Sequence, residues 1–353
     1  MRRLDGVAEN VKRHSGARTL GCRFFYVNTK TKFLRSLKMA TDVLGYRDII
    51  GKFYAALAAT AMGWTSKIAM LIESDQPSEE YKWLGMAPAM REWIGARMLA
   101  ALRDSGMLIR NKDFEASIVI PKKDIRRDKT GQIDIRINDL ARRANAHWAK
   151  LLSTFIANGT GQTSGLAYDG QYFFDTDHSE GDSGTQLNLL AAAQVPALDV
   201  TTATAPTPLE VSKAVLGVIA YMLSLKDDQG EPINEDAKGF LVMTSPVLWP
   251  AFASAFSLPM LDSGASNILV NLDGFTLEVV PNPRLTYTTQ FATFRTDAVA
   301  KPLIMQDEFG IQSEFLGEGS DYAFDNNAYK FGVQASRNVG YGMWQYAAHA
   351  TLS

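Results

Sequence analysis

The longest regular pattern in the chain runs from Asp134 to Gly159. Ile137, Leu140, Ala141, Ala144, Trp148, Leu151, Leu152 and Phe155 recur at spacings that fall on one side of a helix. Asn138, Arg142, Arg143, Asn145 and Lys150 fill the positions between them. Three-and-four spacing of this kind predicts an amphipathic α-helix over 134–158. Asn158-Gly159 ends it, because glycine accepts the left-handed conformation that helix C-termini often need. At 1.5 Å per residue the rod is roughly 35 Å long, enough to brace sheets laid against it.

Shorter patterns flank this helix. Ala40-Thr41-Asp42 reads as a cap before Leu44, Ile49, Ile50, Phe53 and Leu57, which keep helical spacing. Residues 66–73 read as a strand. Met107 and Ile109, then Phe114, Ala116, Ile118 and Ile120, alternate as two strands joined near Asn111-Lys112-Asp113. Pro121 stops the second, and a charged turn over Lys122–Lys129 leads into the long helix. From Gly159 to Pro208 the chain is loop-like, with one apolar stretch at Leu187–Leu198. Pro208 starts a helix whose buried stripe is Leu209, Val215, Leu216, Ile219, Met222 and Leu223. Gly239–Thr244 is a short buried strand, and Ser245-Pro246 caps a helix through Phe256. Strands are predicted at Thr276–Val280, Phe291–Arg295, Leu303–Gln306 and Gln312–Phe315. Two terminal strand regions follow, Tyr329–Ala335 and Tyr341–Ala348.

With 46% hydrophobic and 21% charged residues the composition is that of a folded protein, which excludes a disordered chain. No run approaches the ~18 apolar residues of a membrane span, and no signal-peptide pattern opens the chain. Cys22 is the single cysteine, so neither a disulfide framework nor a multi-cysteine zinc site is available, as suits a reducing cytoplasm. Charge is uneven. Residues 1–38 carry ten Lys or Arg against Asp5 and Glu9, a net +8, which leaves −10 on the remainder of a chain totalling −2. A basic arm of this kind either binds nucleic acid or another acidic partner, or is a solvated extension without a fixed role. Periodicity begins only after Met39, so 1–38 reads as an extension, a leader preceding a start at Met39.

Candidate chemistry is sparse. Asp175, Asp177, His178 and Asp182 combine oxygen and imidazole donors, the raw material of a metal site in an enzyme. The string lacks the turn glycine and distal carboxylate of a calcium loop, and Phe173-Phe174 beside it suits a polar loop anchored by aromatics. His147 has no ligand at useful spacing and reads as a surface or interface histidine; His14 and His349 are isolated near the ends. Gly181-Asp-Ser-Gly184 lacks the spacing of a nucleophile elbow. Gly159-Thr-Gly161 and Gly317-Glu-Gly319 lack the Gly-Lys-Ser/Thr of a phosphate cradle. Glu79-Glu80 and Asp227-Asp228 read as solvated turns. No catalytic residue, cofactor-binding residue or metal ligand is assigned, and no cofactor is expected.

The stronger signal is apolar. Residues 81–97 hold no single period, yet Trp83, Trp93 and several methionines alternate there with Arg91, Arg97 and, further on, Arg103. Trp, Met and Arg are enriched in interface cores, so Trp83, Arg91, Trp93, Arg97 and Arg103 are expected to meet another subunit.

Three strings carry a family resemblance: Tyr81-Lys-Trp-Leu-Gly-Met-Ala-Pro-Ala-Met-Arg-Glu-Trp-Ile-Gly-Ala-Arg97, Asn111-Lys-Asp-Phe-Glu115 and Tyr168-Asp-Gly-Gln-Tyr-Phe-Phe-Asp-Thr-Asp-His178. They resemble the Mu-like phage major head subunit family, gene product T type, from about Met39 to the C-terminus. The resemblance implies the Hong Kong 97-type capsid fold, an α+β fold. It assigns 39–80 to an N-arm, 81–120 to an extended β loop lying over a neighbour, 121–184 with 286–353 to a peripheral domain spined by helix 134–158, and 185–285 to an axial domain. It further implies a non-enzymatic major capsid protein of the virion, assembled in the host bacterial cytoplasm. Hexamers and pentamers of it would form an icosahedral head around double-stranded DNA, without sequence-specific binding and without a membrane. A scaffold or protease, a portal and a decoration protein are the partners such a shell implies.

Overall fold

The computed structural model describes residues 49–59, 63–81, 106–127, 131–260, 264, 266–270 and 272–353, all within the compact unit Asp48–Ser353. In chain order the elements are helices α1 (49–58) and α2 (Thr65–Ile68), then strands β1 (Ala69–Glu73), β2 (Ser78–Tyr81), β3 (Met107–Arg110) and β4 (Lys112–Pro121). Helices α3 (Lys122–Arg127) and α4 (Gln132–Ala157) follow, then the two-residue strands β5 (His178–Ser179), β6 (Thr185–Gln186) and β7 (Leu189–Leu190). The second half holds α5 (Pro208–Leu223), β8 (Gly239–Thr244), α6 (Trp249–Ser257), β9 (Thr276–Pro281), β10 (Gln290–Arg295), β11 (Leu303–Leu316), α7 (Asp321–Asp325), β12 (Ala328–Tyr341) and β13 (Ala347–Thr351). The composition break at Met39 and the basic segment 1–38 lie outside the described residues.

Two sheets carry the structure. One has the order β1-β11-β12-β4, antiparallel except for the parallel β1–β11 pair. The other has the order β7-β13-β10-β8-β9, with parallel pairs at both edges. Its central strands β8, β10 and β13 are buried on both faces, since alternate side chains point to opposite sides and both sides are covered. Phe240 and Val242 of β8 enter one apolar core with α5 and α6, whereas Leu241 and Met243 enter a second core with α4. Strand β10 divides in the same way, with Phe291 on one side and Ala292 and Phe294 on the other. A strand serving two cores shows no polar alternation, which is why Gly239–Thr244 is legible as a continuous apolar run.

Helix α4 links that second core to a third. Its first half places Ile137, Leu140 and Ala141 against Phe53 of α1 and Phe331 of β12. Its second half places Trp148, Leu152 and Ile156 among Phe173, Phe174, Tyr341 and Trp344. The predicted helix is therefore present, beginning at Gln132 rather than Asp134. Gly131, with φ +70°, is its N-cap. Gly159 is not left-handed, contrary to expectation. It lies instead where a Cβ would come within 2.6 Å of the Phe174 ring, so its small size, not its φ, is required.

Other boundaries also differ. Residues 66–68 are helical, and only 69–73 form a strand. Helix α6 starts at Trp249, with Pro250 in its first turn, rather than at Ser245-Pro246. Leu303–Gln306 and Gln312–Phe315 are one strand, β11, which absorbs the polar interval through register shifts between Asp307 and Gln312. Glu79-Glu80 belong to β2 and not to a turn. Helix α5 begins where predicted. Thr207 and Glu210 bond reciprocally across its first turn, and hydrogen bonds from Thr201 and Thr207 hold the Glu210 carboxyl down to about 2.

Two histidines read as peripheral are packed. His147 sits edge-on to Phe114 at 4.4 Å, and burial followed by the nearby Arg337 charge pushes it down to about 4. His349 is 2% exposed, between the rings of Phe174 and Tyr287, and burial pushes it down to about 4 from 6.5. Between those two pH values the unfolded chain takes up a proton that folded His349 refuses, so stability is full above pH 6.5 and falls as pH drops toward 4. The loss from this residue is about 3 kcal/mol at 1.36 kcal/mol per unit. Denaturant unfolding of unassembled subunits at pH 7 and pH 4.5 is expected to show this loss. His349→Phe is expected to flatten the slope, and an unchanged slope would contradict the assignment.

Candidate subunit interface

Trp83, Arg91, Trp93, Arg97 and Arg103, the residues expected at an interface, all lie outside the described residues. What is described is the root from which that segment departs. Strands β2 and β3 pair antiparallel with Tyr81 opposite Met107, so the chain leaves and re-enters at one point. Tyr81 Oη donates to Gln306 Oε1 at 2.6 Å, and Gln306 Nε2 donates to Asn111 Oδ1 at 2.7 Å. Burial pushes the Tyr81 phenol up to about 12, so it remains a donor at any physiological pH. Beneath β3, Gly340 of β12 leaves room for Ile109, whose Cδ1 lies 2.2 Å from where a Cβ would stand. The root is thereby fastened to the four-stranded sheet.

The described surface exposes apolar groups that sequence reasoning did not select. Val247, just before α6, and Met260 and Ile268, beyond its C-terminal end, are more than half exposed. Asn267 holds this region from beneath. Its Nδ2 donates to the carbonyls of Ala255 and Leu258 at 2.6 and 2.8 Å, and its Oδ1 accepts from Leu269 N at 3.1 Å. The buried amide thus satisfies the helix end and turns Met260 and Ile268 outward. The available signal was the aperiodic apolar run Leu258–Leu261 beside Asp262-Ser263-Gly264. On the four-stranded sheet, Val119 and Leu316 flank Lys330 in one row and are about half exposed. Phe324 on α7 is 88% exposed.

In the Asp175–His178 loop the side chains of Asp175 and His178 are taken up in hydrogen bonds within the fold. Among the described residues no three His, Cys, Asp or Glu side chains converge on a common point. His178 is fully buried, stacked on the Trp344 indole at 4.0 Å and 3°, with Nδ1 2.6 Å from Asp169 Oδ2 and Nε2 3.3 Å from Asn188 Oδ1. Asn188 also accepts from Asp175 N and donates to the carbonyls of Phe173 and Trp344. The Asp175 carboxylate accepts from Tyr172 N and Thr176 N, while Asp177 and Asp182 face solvent. Tyr168 Oη donates to Glu180 Oε2 at 2.7 Å. The Tyr168–His178 string is therefore a polar clasp that docks the post-helix loop onto the C-terminal strands. Its donors are consumed in folding, and none converges on an ion.

The family described as Mu-like prophage major head subunit gpT matches residues 46–209 and 278–352. The chain is 33% identical to the Mu-like prophage FluMu major head subunit of Haemophilus influenzae over 171 residues, which is 48% of this chain and 54% of that protein. It is 34% identical to the major capsid protein of Escherichia phage Mu over 113 residues, 32% of this chain and 36% of that protein. The chain thus spans about half the length of the first relative and about a third of the second. Among solved structures, a chain of the bacteriophage JBD30 procapsid aligns over 89% of this chain and 76% of its own length, with TM-score 0.51 and 22% identity. At that identity the likeness is one of fold.

The clasp makes a simple prediction. Asn188→Ala, which strands two carbonyls, a backbone amide and the His178 ring, is expected to destabilise the subunit by about 2–4 kcal/mol in denaturant unfolding. A chelator is expected to leave the melting temperature unchanged. A chelator-induced drop would restore the metal reading.

Proposed function

The chain belongs to the Mu-like prophage major head subunit family and has the Hong Kong 97-type α+β fold, and on that premise we propose that it is the major capsid protein of a phage head. Many copies, grouped as hexamers and pentamers, close into an icosahedral shell around double-stranded DNA. Its role is structural, with assembly in place of catalysis. The observation that carries this reading is the family match across α4, the clasp and both terminal strands, the elements that hold the three cores together.

The domain plan follows from the same premise. Residues 39–80 act as an N-arm and 81–120 as an extended loop over a neighbouring subunit. The Tyr81–Met107 pairing supports this, because it brings both ends of the intervening segment to one place. Residues 121–184 and 286–353 form a peripheral domain spined by α4. Residues 185–285 form an axial domain whose α5 and α6 cover one face of the five-stranded sheet. That sheet takes β7, β8 and β9 from the axial part and β10 and β13 from the peripheral part, so the two share a base. Exposed Val247, Met260 and Ile268 lie on the axial part and offer apolar area to neighbouring copies.

Outside 1–38 the chain is acidic, which suits a wall that must not grip phosphate, since basic surfaces bind DNA without regard to sequence. Weak contacts suffice, because each subunit makes many at once and avidity compounds them. The shell forms in the host cytoplasm with a scaffold or protease and a portal.

Negative-stain electron microscopy with sedimentation tests the reading on the full chain, alone and with the products of adjacent genes. Shells, tubes, hexamers or pentamers are expected, and a persistently discrete monomer or dimer would overturn it. Trp93→Ala and Arg97→Glu are expected to block assembly while circular dichroism stays that of the parent. Global unfolding would place both residues in a core instead.

A further inference from the structure

Among the described residues two arginines are buried, Arg295 with its hydrogen bonds satisfied and Arg337 without. Arg295, 3% exposed in its side chain, bonds through Nε to Asp297 and through Nη2 to Asp236. Its Nη1 donates to the Ile233 carbonyl and to Asn234 Oδ1. Arg337 of β12 is buried as deeply, at 2%, with its guanidinium 4.7 Å from the Trp148 ring. It makes no hydrogen bond with any described residue. Its Nε stands 3.7 Å from Asp307 Oδ1, beyond bonding distance, and both atoms are buried without a partner. A buried guanidinium whose Nε finds no hydrogen-bond acceptor is among the costlier arrangements a fold retains.

Arg337 does not face solid protein. It lines a cavity of about 410 Å³ between α4, α2 and β11. The walls are apolar, with Leu57, Trp64, Trp148 and Ile311 around it. Arg142, on the α4 side of the same cavity, is already paired with Asp139 at 2.6 Å. The charged lining is therefore two guanidinium groups against the single carboxylate of Asp307.

From this geometry we infer that the cavity is a binding site for a carboxylate carried on an apolar body, with Arg337 as its anchor. A planar carboxylate matches the guanidinium fork and supplies the acceptors that the fold withholds. The apolar remainder lies against Trp64 and Leu57, and the volume falls within the usual range for small-ligand pockets. The carboxylate has two possible sources: a free organic acid, or an acidic side chain set among apolar residues on a second copy of the chain. Asp307 competes for the same guanidinium from the side of β11, so it tunes the site rather than filling it.

Benzoate is the probe. Titrated calorimetrically into the unassembled full chain, it is expected to bind saturably at one site. Arg337→Met, which keeps the length and apolar stem, is expected to weaken binding about tenfold or more, the size of one charge-assisted contact. Asp307→Asn is expected to tighten it, a change of opposite sign that a purely structural role for the pair does not produce, and one that remains readable if Arg337→Met fails to fold. Repeating the titration on assembled particles separates the sources. Binding in both states identifies a free organic acid, and binding confined to the unassembled chain identifies a neighbouring copy's acidic side chain. A chain that never assembles still reports on the cavity through the first titration. Absence of saturable binding by the parent, or parental affinity in Arg337→Met, overturns the inference.

Discussion

The rest of the structure depends on one burial constraint: α4 must cover apolar surface on two cores at once. Its N-terminal half closes the cluster around Phe53 and Phe331, and its C-terminal half closes the cluster around Trp344 and Tyr341. Twenty-six residues at 1.5 Å each give about 39 Å of rod, long enough to span both. The cluster around Phe53 is small, and the helix couples it to the larger one around Trp344. The five-stranded sheet extends that coupling, because its alternate side chains commit one strand to two cores. A shift of β8 by one residue would exchange the two sets and break both cores together.

Polar groups inside this frame sort by what they accomplish. Asn188, Asn234 and Asn267 are buried amides that spend their donors on backbone carbonyls left open at loop and helix ends. Arg295 is fully engaged between two carboxylates, a carbonyl and an amide. These groups fix loop geometry around an apolar framework. Arg337 departs from the pattern, held only by the Trp148 face and a distant Asp307. Departures of this kind are where a fold retains a cost for some purpose beyond stability.

A subunit of the proposed shell has to be rigid where it carries load and adaptable where it meets neighbours whose angles vary. The described architecture supplies the first property through three linked cores and a clasp that ties the loop after α4 to Trp344 and the final strands. The second is served by segments that leave the framework at anchored roots, of which the Tyr81–Met107 pair fastened by Gln306 is the best defined. Anchoring the root fixes where the segment departs from the framework.

The sequence by itself determined the elements whose burial is local and periodic. The stripe of α4, the Thr207-Pro208 start of α5 and the apolar run of β8 are visible because one face, one cap or one uniform environment decides each of them. The three family strings were legible for a different reason, a resemblance in residue order, and they brought the α+β plan with them. Only the tertiary structure decided the rest. Leu303–Leu316 is one strand because β12 pairs along nearly its whole length and carries it through a polar interval that reads as a break. Gly159 is required by the Phe174 ring, a partner fifteen positions away whose approach no local pattern encodes. His178 looks like a ligand in sequence and is a buried clasp because Asp169, Asn188 and Trp344 converge on it from three segments. The unpartnered guanidinium of Arg337 depends likewise on where α4 and β11 come to rest. Periodicity records which face is buried, whereas convergence of distant side chains is decided only when the cores close.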